Sequence, residues 1–137
     1  MARIFIYILF LLLSFSAVSQ NYIGIHKDKI REKVSEELSG FAFSKEVYNG
    51  NRSFIKFENR FEEQTLIFML NTKGYCTAVS RMYNSWLYKS LQKELNEKYG
   101  ESEILIWEYE KDGQEYTVEL NRKKWFVSVI TKTKRTN

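Results

Sequence analysis

The sequence predicts an α+β domain in which two helices pack on one face of a mainly antiparallel sheet. Two segments repeat apolar residues at every fourth position, which is typical of amphipathic helices. Seven shorter segments alternate apolar and polar residues and are separated by short turns, which is typical of antiparallel strands. After an N-terminal signal peptide, the predicted order of elements is therefore α-β-β-β-β-α-β-β-β.

Residues 1–19 have the features of a secretory signal peptide. Arg3 is the only charge, the run from Ile4 to Leu13 is apolar, and small side chains follow at Ala17 and Ser19. A positive end, an apolar centre and two small residues spaced two apart are what signal peptidase recognises. Cleavage is therefore expected after Ser19, and the protein is expected to be exported and to be periplasmic or secreted.

Two alternatives for this leader are an uncleaved membrane anchor and a buried N-terminal helix. The apolar run offers at most about 15 residues, whereas a spanning helix needs roughly 20. No stable membrane insertion is therefore expected once the signal is removed. Residues 20–137 contain no proline and no low-complexity linker, so they are expected to form a single domain.

The first predicted helix spans residues 25–38. Ile30, Val34 and Leu38 recur every four residues and line one face, while the charged residues between them form the wet side. Gly40 can adopt the backbone conformation that ends a helix.

Four strands follow, and each pair is joined by a short turn. The sequence NGN at 49–51 is a strong hairpin signal, and NTKG at 71–74 is a second turn. The third of these strands is apolar on both faces, which predicts a position inside the sheet. The four predicted strands are 41–48, 52–59, 64–71 and 75–83.

The second predicted helix spans residues 85–99. Asn84 is expected to cap it through its side-chain oxygen, and Gly100 is expected to end it. Its buried stripe consists of Leu87, Leu91 and Leu95.

Three strands close the chain, at 103–110, 114–121 and 124–132. On the last strand, Trp125 is expected to share a face with Val127 and Val129. That strand can also leave an edge open for pairing, so the sequence does not decide the oligomeric state.

The formal net charge of +4 is small, and the two signs alternate along the chain. A nucleic-acid-binding protein would gather its basic residues on one stripe. No nucleic-acid partner is therefore expected, although weak attraction to anionic surfaces fits the small positive excess.

The residues that usually hold metals or perform covalent catalysis are scarce. Cys76 is the only cysteine and His26 the only histidine, and no phosphate loop, HExxH, CxxC or GxSxG motif is present. Cys76 lies in a predicted strand and is expected to be a small buried side chain. No cofactor, no metal and no catalytic residue are predicted.

Carboxylates are the remaining candidates for chemistry. Glu108 and Glu110 fall on the same face of one predicted strand, about 6 to 7 Å apart by strand rise. A pair of carboxylates could hydrolyse a glycosidic bond, although an exposed sheet face paired with lysines explains the same pattern.

The aromatic residues give the candidate contact site. Most of these rings are expected to fill the core under the second helix, but Trp, Tyr and Arg also dominate binding hot spots. Three such residues and an asparagine meet where a strand passes into the second helix, and loops on a rigid scaffold often carry function. The candidate binding residues are Arg81, Tyr83, Asn84 and Trp86.

Three functions remain open at this point. The first is a small exported, non-catalytic binding or accessory protein of the cell envelope, whose partner is another protein or envelope macromolecule. The second is an inhibitor or immunity-type protein that blocks an enzyme. The third is a small carboxylate-dependent hydrolase, which requires two glutamates facing each other across a groove.

Overall fold

The computed structural model describes residues 19–134, and it confirms an α+β fold with two α-helices and a seven-stranded antiparallel sheet. The predicted signal peptide lies outside the described residues except for Ser19. The elements are α1 Lys27–Glu37, β1 Ala42–Val47, β2 Ser53–Asn59, β3 Gln64–Leu70, β4 Cys76–Asn84, α2 Tyr88–Tyr99, β5 Ile106–Lys111, β6 Gln114–Arg122 and β7 Phe126–Thr133. Two short 3₁₀ turns, Ser19–Tyr22 and Ser85–Leu87, add to the predicted order.

The strands lie in the order β1-β2-β3-β4-β7-β6-β5. β3 lies inside the sheet, as its apolar faces predict. The expectation that the last strand leaves an open edge is wrong, because β7 pairs with β4 on one side and β6 on the other. The two edges belong to β1 and β5.

Both helices cover the same face of the sheet. Val79, Thr131, Val118 and Trp107 occupy one continuous row of paired residues across β4, β7, β6 and β5, so their side chains lie on one side. Val79 belongs to the apolar cluster under α1, and Val118 and Trp107 belong to the cluster under α2. The core therefore has two halves that meet over β4 and β7.

The predicted helix faces are the buried faces. Ile30 and Val34 of α1 have no exposed surface, and Leu91 and Leu95 of α2 are 4 % exposed. After α1, Gly40 has a φ of +92°, and a Cβ there would come within 2.9 Å of the Asn59 amide nitrogen. Glycine is therefore required for the chain to turn into β1.

The start of α2 differs from the prediction. Asn84 makes no capping hydrogen bond, because its amide group donates instead to the Glu63 carboxylate at 3.0 Å. The chain passes through the 3₁₀ turn Ser85–Leu87 before the α-helix begins at Tyr88. Asn84 thus ties the end of β4 to the β2–β3 turn.

β5 begins three residues later than predicted. Leu105 has a φ of +61°, a left-handed conformation that interrupts an extended strand. The Ser102 hydroxyl holds this bend by donating to the Ile106 carbonyl at 2.8 Å. No helix within residues 19–134 is long and apolar enough to cross a membrane.

Candidate functional site

Three connections lie side by side at one end of the sheet, which we call the aromatic end. They are the β2–β3 turn at 60–63, the 3₁₀ turn at 85–87 and the β6–β7 turn at 123–125. The pairs Thr65–Met82 and Asn84–Phe126 place all three at the same end. At about 4.8 Å between strands, the two outer turns are about 14 Å apart, with the end of β4 between them.

Each of these connections carries one large aromatic side chain that faces solvent. Phe61 is 98 % exposed, Trp86 is 75 % exposed and Trp125 is 76 % exposed. Single exposed apolar residues are ordinary on protein surfaces, but a group of large ones commonly marks an interaction surface. The aromatic end is therefore the candidate contact site of the described chain.

Positive charge accompanies these rings. Residues 60–63 and 122–125 contain four cationic and two anionic side chains, which gives a net charge of +2. The Lys124 ammonium lies 5.2 Å from the centre of the Trp125 ring, and the Arg122 guanidinium lies 4.7 Å from the centre of the Tyr88 ring. The first of these cation–π contacts holds a cation beside an exposed ring, and the second holds Arg122 against the partly buried Tyr88.

A groove of about 390 Å³ opens beside Phe61 at the outer side of this end. Phe43 of the edge strand β1 and Arg60 of the β2–β3 turn contribute to its lining. The Phe43 ring also lies 3.8 Å below the Arg31 guanidinium of α1. The groove thus extends the surface of mixed aromatic and basic groups towards β1.

The four residues predicted as a contact site do not lie together. Arg81 and Tyr83 are 7 % and 3 % exposed and face the helices. Asn84 lies on the opposite, open face, where it contacts Glu63. Only Trp86 faces solvent, at the aromatic end. The alternation of side chains along β4 separates residues that are close in sequence.

Arg81 occupies the junction between the two halves of the core. Its Nε donates to the Gln64 side-chain oxygen at 2.8 Å, and a second guanidinium nitrogen donates to the same oxygen. The guanidinium carbon lies 5.3 Å from the ring centres of both Phe41 and Tyr83. Burial lowers the pKa of Arg81, and burial raises the pKa of Tyr83 to about 12.

We expect Arg81→Lys to lower the free energy of unfolding by about 2 kcal/mol. Lysine keeps the charge, but it cannot present the planar fork that contacts Gln64 and the two rings. Urea denaturation compares this variant with Arg60→Lys, which changes an exposed arginine and should have little effect. Unchanged stability together with lost partner binding would instead assign Arg81 to a binding surface.

Cys76 is buried as predicted, at 2 % exposure. Its thiol lies 3.4 Å from the Ala78 carbonyl oxygen, and burial raises its pKa to about 12. His26, the only histidine, caps the N-terminus of α1, where its Nδ1 accepts a hydrogen bond from the Asp28 amide at 3.4 Å. A thiol that stays protonated is a poor nucleophile, so this environment does not favour cysteine chemistry.

Glu108 and Glu110 lie on the exposed edge strand β5. Lys134 forms an ion pair with Glu108 at 3.0 Å and approaches Glu115 at 3.9 Å. Glu108, Glu110 and Glu115 line an open depression of about 200 Å³ rather than a closed groove. This geometry is that of a solvated, charge-paired sheet face.

Glu94 is a buried carboxylate that the sequence analysis did not single out. It is 6 % exposed on the inner side of α2, and its Oε1 atom has no hydrogen-bond partner. Burial, with a smaller contribution from Glu97, raises its pKa to about 7. The sequence does indicate that Glu94 is buried, because it lies three residues after Leu91 and directly before Leu95 on the apolar face of the helix.

The open face of the sheet is a second uncovered surface. It mixes apolar with polar and charged side chains, most of them partly exposed, although Ser128 is buried. The apolar members include Phe54, Ile67, Met69, Met82 and Ile130.

Within residues 19–134, no group of three His, Cys, Asp or Glu side chains comes close enough to hold a metal ion. No protein-family model, curated protein or solved structure matches the chain.

Proposed function

We propose that the chain is a small exported, non-catalytic binding or accessory protein of the cell envelope. It contacts another component of the envelope through the aromatic end. The observation that carries this proposal is the presence of Phe61, Trp86 and Trp125 on three neighbouring connections at one end of the sheet, each at least 75 % exposed. Keeping three such rings in water is unfavourable, and a partner that covers them gains their burial.

Export rests on the predicted signal peptide, with cleavage after Ser19. Ser19 is 1 % exposed and its hydroxyl donates to Thr131 at 3.2 Å, while Gln20 accepts from the Tyr109 hydroxyl. A protease has no access to this bond in the folded chain. The proposed cleavage therefore requires signal peptidase to act before Ser19 packs against Thr131, on a chain that crosses the membrane unfolded.

The inhibitor or immunity-type function is the second candidate. It is favoured by the position of Phe61, which protrudes almost fully exposed from a hairpin turn beside a groove. A protruding side chain of this kind can enter the active-site cleft of an enzyme. The open, ion-paired position of Glu108 favours either binding function over the hydrolase.

Affinity capture from the native envelope tests the proposal, using protein with a C-terminal tag. We expect the wild-type chain, sequenced to begin at Gln20, to be retained on an envelope component. The variant Phe61→Ser/Trp86→Ser/Trp125→Ser should lose this retention at unchanged thermal stability. Tyr48→Ser is the matched control, because Tyr48 is 78 % exposed at the opposite end of the sheet.

Equal retention of the wild-type and triple-serine chains would contradict the proposed site. An intact Met1 on a membrane-bound chain would contradict cleavage. Turnover of a glycan or peptide that is lost in Glu108→Gln would favour the hydrolase instead.

A further inference from the structure

We infer that the aromatic end is a reversible docking surface for an anionic lipid bilayer. This inference rests on the proposed function and names the envelope component that is bound. Exposed aromatic rings flanked by cations are the side chains that peripheral proteins place in the interfacial region of a membrane.

The first argument is the position of the rings. Each ring lies on a separate connection between elements, and together the connections extend over about 14 Å at the end of the sheet. Among the described residues, none of the three rings contacts another aromatic ring. A protein hot spot usually packs its anchors into a shared desolvated patch, whereas a fluid bilayer accepts separate protruding side chains.

The second argument is the chemistry of the side chains. Tryptophan is enriched at membrane–water interfaces, because its ring is apolar and its indole N–H can still contact water or headgroups. Trp86 and Trp125 are the two exposed tryptophans, whereas Trp107 is only 3 % exposed. Both exposed tryptophans of the described residues therefore lie at this one end of the sheet.

The third argument is charge. Lys123 and Lys124 lie directly before Trp125, and Arg60 lies directly before Phe61. Within residues 19–134, none of these three cations takes part in an ion pair. Cations beside exposed rings attract anionic headgroups as the rings enter the interface. Glu62 and Glu63 reduce this attraction but leave the end net positive.

Vesicle binding of the purified exported chain tests the inference. The probes are vesicles of phosphatidylcholine with phosphatidylglycerol and vesicles of phosphatidylcholine alone. We expect co-sedimentation with the anionic vesicles at low salt and much weaker binding to the neutral vesicles or at high salt. Phe61→Ser/Trp86→Ser/Trp125→Ser should lower the partition coefficient about 100-fold. Lys123→Gln/Lys124→Gln should lower it about 30-fold, and Tyr48→Ser should leave it unchanged.

Sedimentation would also detect binding through an uncleaved leader. Tryptophan fluorescence therefore adds a readout of whether Trp86 and Trp125 themselves enter the bilayer. Phosphatidylcholine brominated in its acyl chains should quench the wild-type protein through Trp86 and Trp125. In Trp86→Phe/Trp125→Phe, only the buried Trp107 remains as a fluorophore, and the quenching should disappear while sedimentation persists. Equal quenching in these two proteins would overturn the inference.

The remaining outcomes separate this inference from the proposed function. Equal partitioning of wild-type and triple-serine chains, or equal binding to neutral and anionic vesicles, overturns bilayer docking. Vesicles that bind no protein, together with a protein partner captured only by the wild-type chain, overturn bilayer docking and support the proposed function. If the chain binds no vesicles and captures no partner, both the bilayer docking and the proposed function are contradicted.

Discussion

Trp107→Ala should lower the free energy of unfolding by about 4 kcal/mol, the largest effect expected from a single substitution in this chain. Trp107 is 3 % exposed in the cluster under α2, next to Val118 of β6. Its removal leaves a cavity of ring size between α2 and the sheet, which the surrounding side chains fill only in part. The loss therefore combines transfer and cavity costs.

Trp107 also makes hydrogen bonds at the C-terminal end of α2. Its indole N–H donates to the Gly100 carbonyl at 2.8 Å and to the Asn96 side-chain oxygen at 3.1 Å. The last carbonyls of a helix have no partner within the helix, so this side chain satisfies one of them from a neighbouring strand. Trp107→Phe keeps most of the ring and loses both hydrogen bonds, so we expect a smaller cost of about 2 kcal/mol.

Urea denaturation followed by far-ultraviolet circular dichroism measures these changes without relying on tryptophan emission. Trp125→Ala is the matched control, because the same substitution at a residue 76 % exposed should change stability by no more than about 0.5 kcal/mol. A loss below about 1 kcal/mol in Trp107→Ala would contradict the packing of α2 on β5 and β6.

The sequence predicts the helix faces and the number of strands because both depend on local periodicity. Ile30 and Val34 recur at helical spacing, and their burial follows from that spacing alone. Strand order depends on pairing between distant segments. Nothing local to β7 indicates that it inserts between β4 and β6, so the sequence alone allows this strand an open edge that the structure does not have.

The candidate site could be predicted only in part, for a similar reason. The sequence predicts Trp86 as a contact residue but not Phe61, although Phe61 is a large apolar residue between charged ones in a turn. Trp125 was assigned to the last strand because it continues the alternation with Val127. In the structure the Lys123 amide donates to the Phe126 carbonyl at 2.8 Å, which closes the turn and directs Trp125 into solvent.

Arg81 shows the limit of residue type as a guide to binding. Arginine and tyrosine are common in hot spots, but the same chemistry also joins two core halves. Here the guanidinium contacts Gln64 and lies near two buried rings. The two roles differ only in the face of β4 that the residue occupies. Alternate residues of a strand share a face, so Arg81 lies on the helix-covered face with Val79.

The free energy of unfolding should fall as the pH rises from about 4.5 to about 7, because of Glu94. Its folded-state pKa is about 7, raised from 4.5 by burial and by Glu97. The folded state therefore binds the proton more tightly than the unfolded state does. The stabilisation is complete below the unfolded-state pKa and is lost as the pH rises through the folded-state pKa, to a total of about 3 kcal/mol.

Glu94→Gln should remove this part of the pH dependence, since glutamine does not ionise. We expect the variant to match the wild-type protein near pH 4.5 and to be more stable by about 3 kcal/mol near pH 8. Urea denaturation at both pH values gives the comparison, with the exposed Glu36→Gln as the control that should follow the wild type. Parallel pH profiles for Glu94→Gln and wild-type protein would mean that the Glu94 carboxyl ionises as freely in the folded chain as in water.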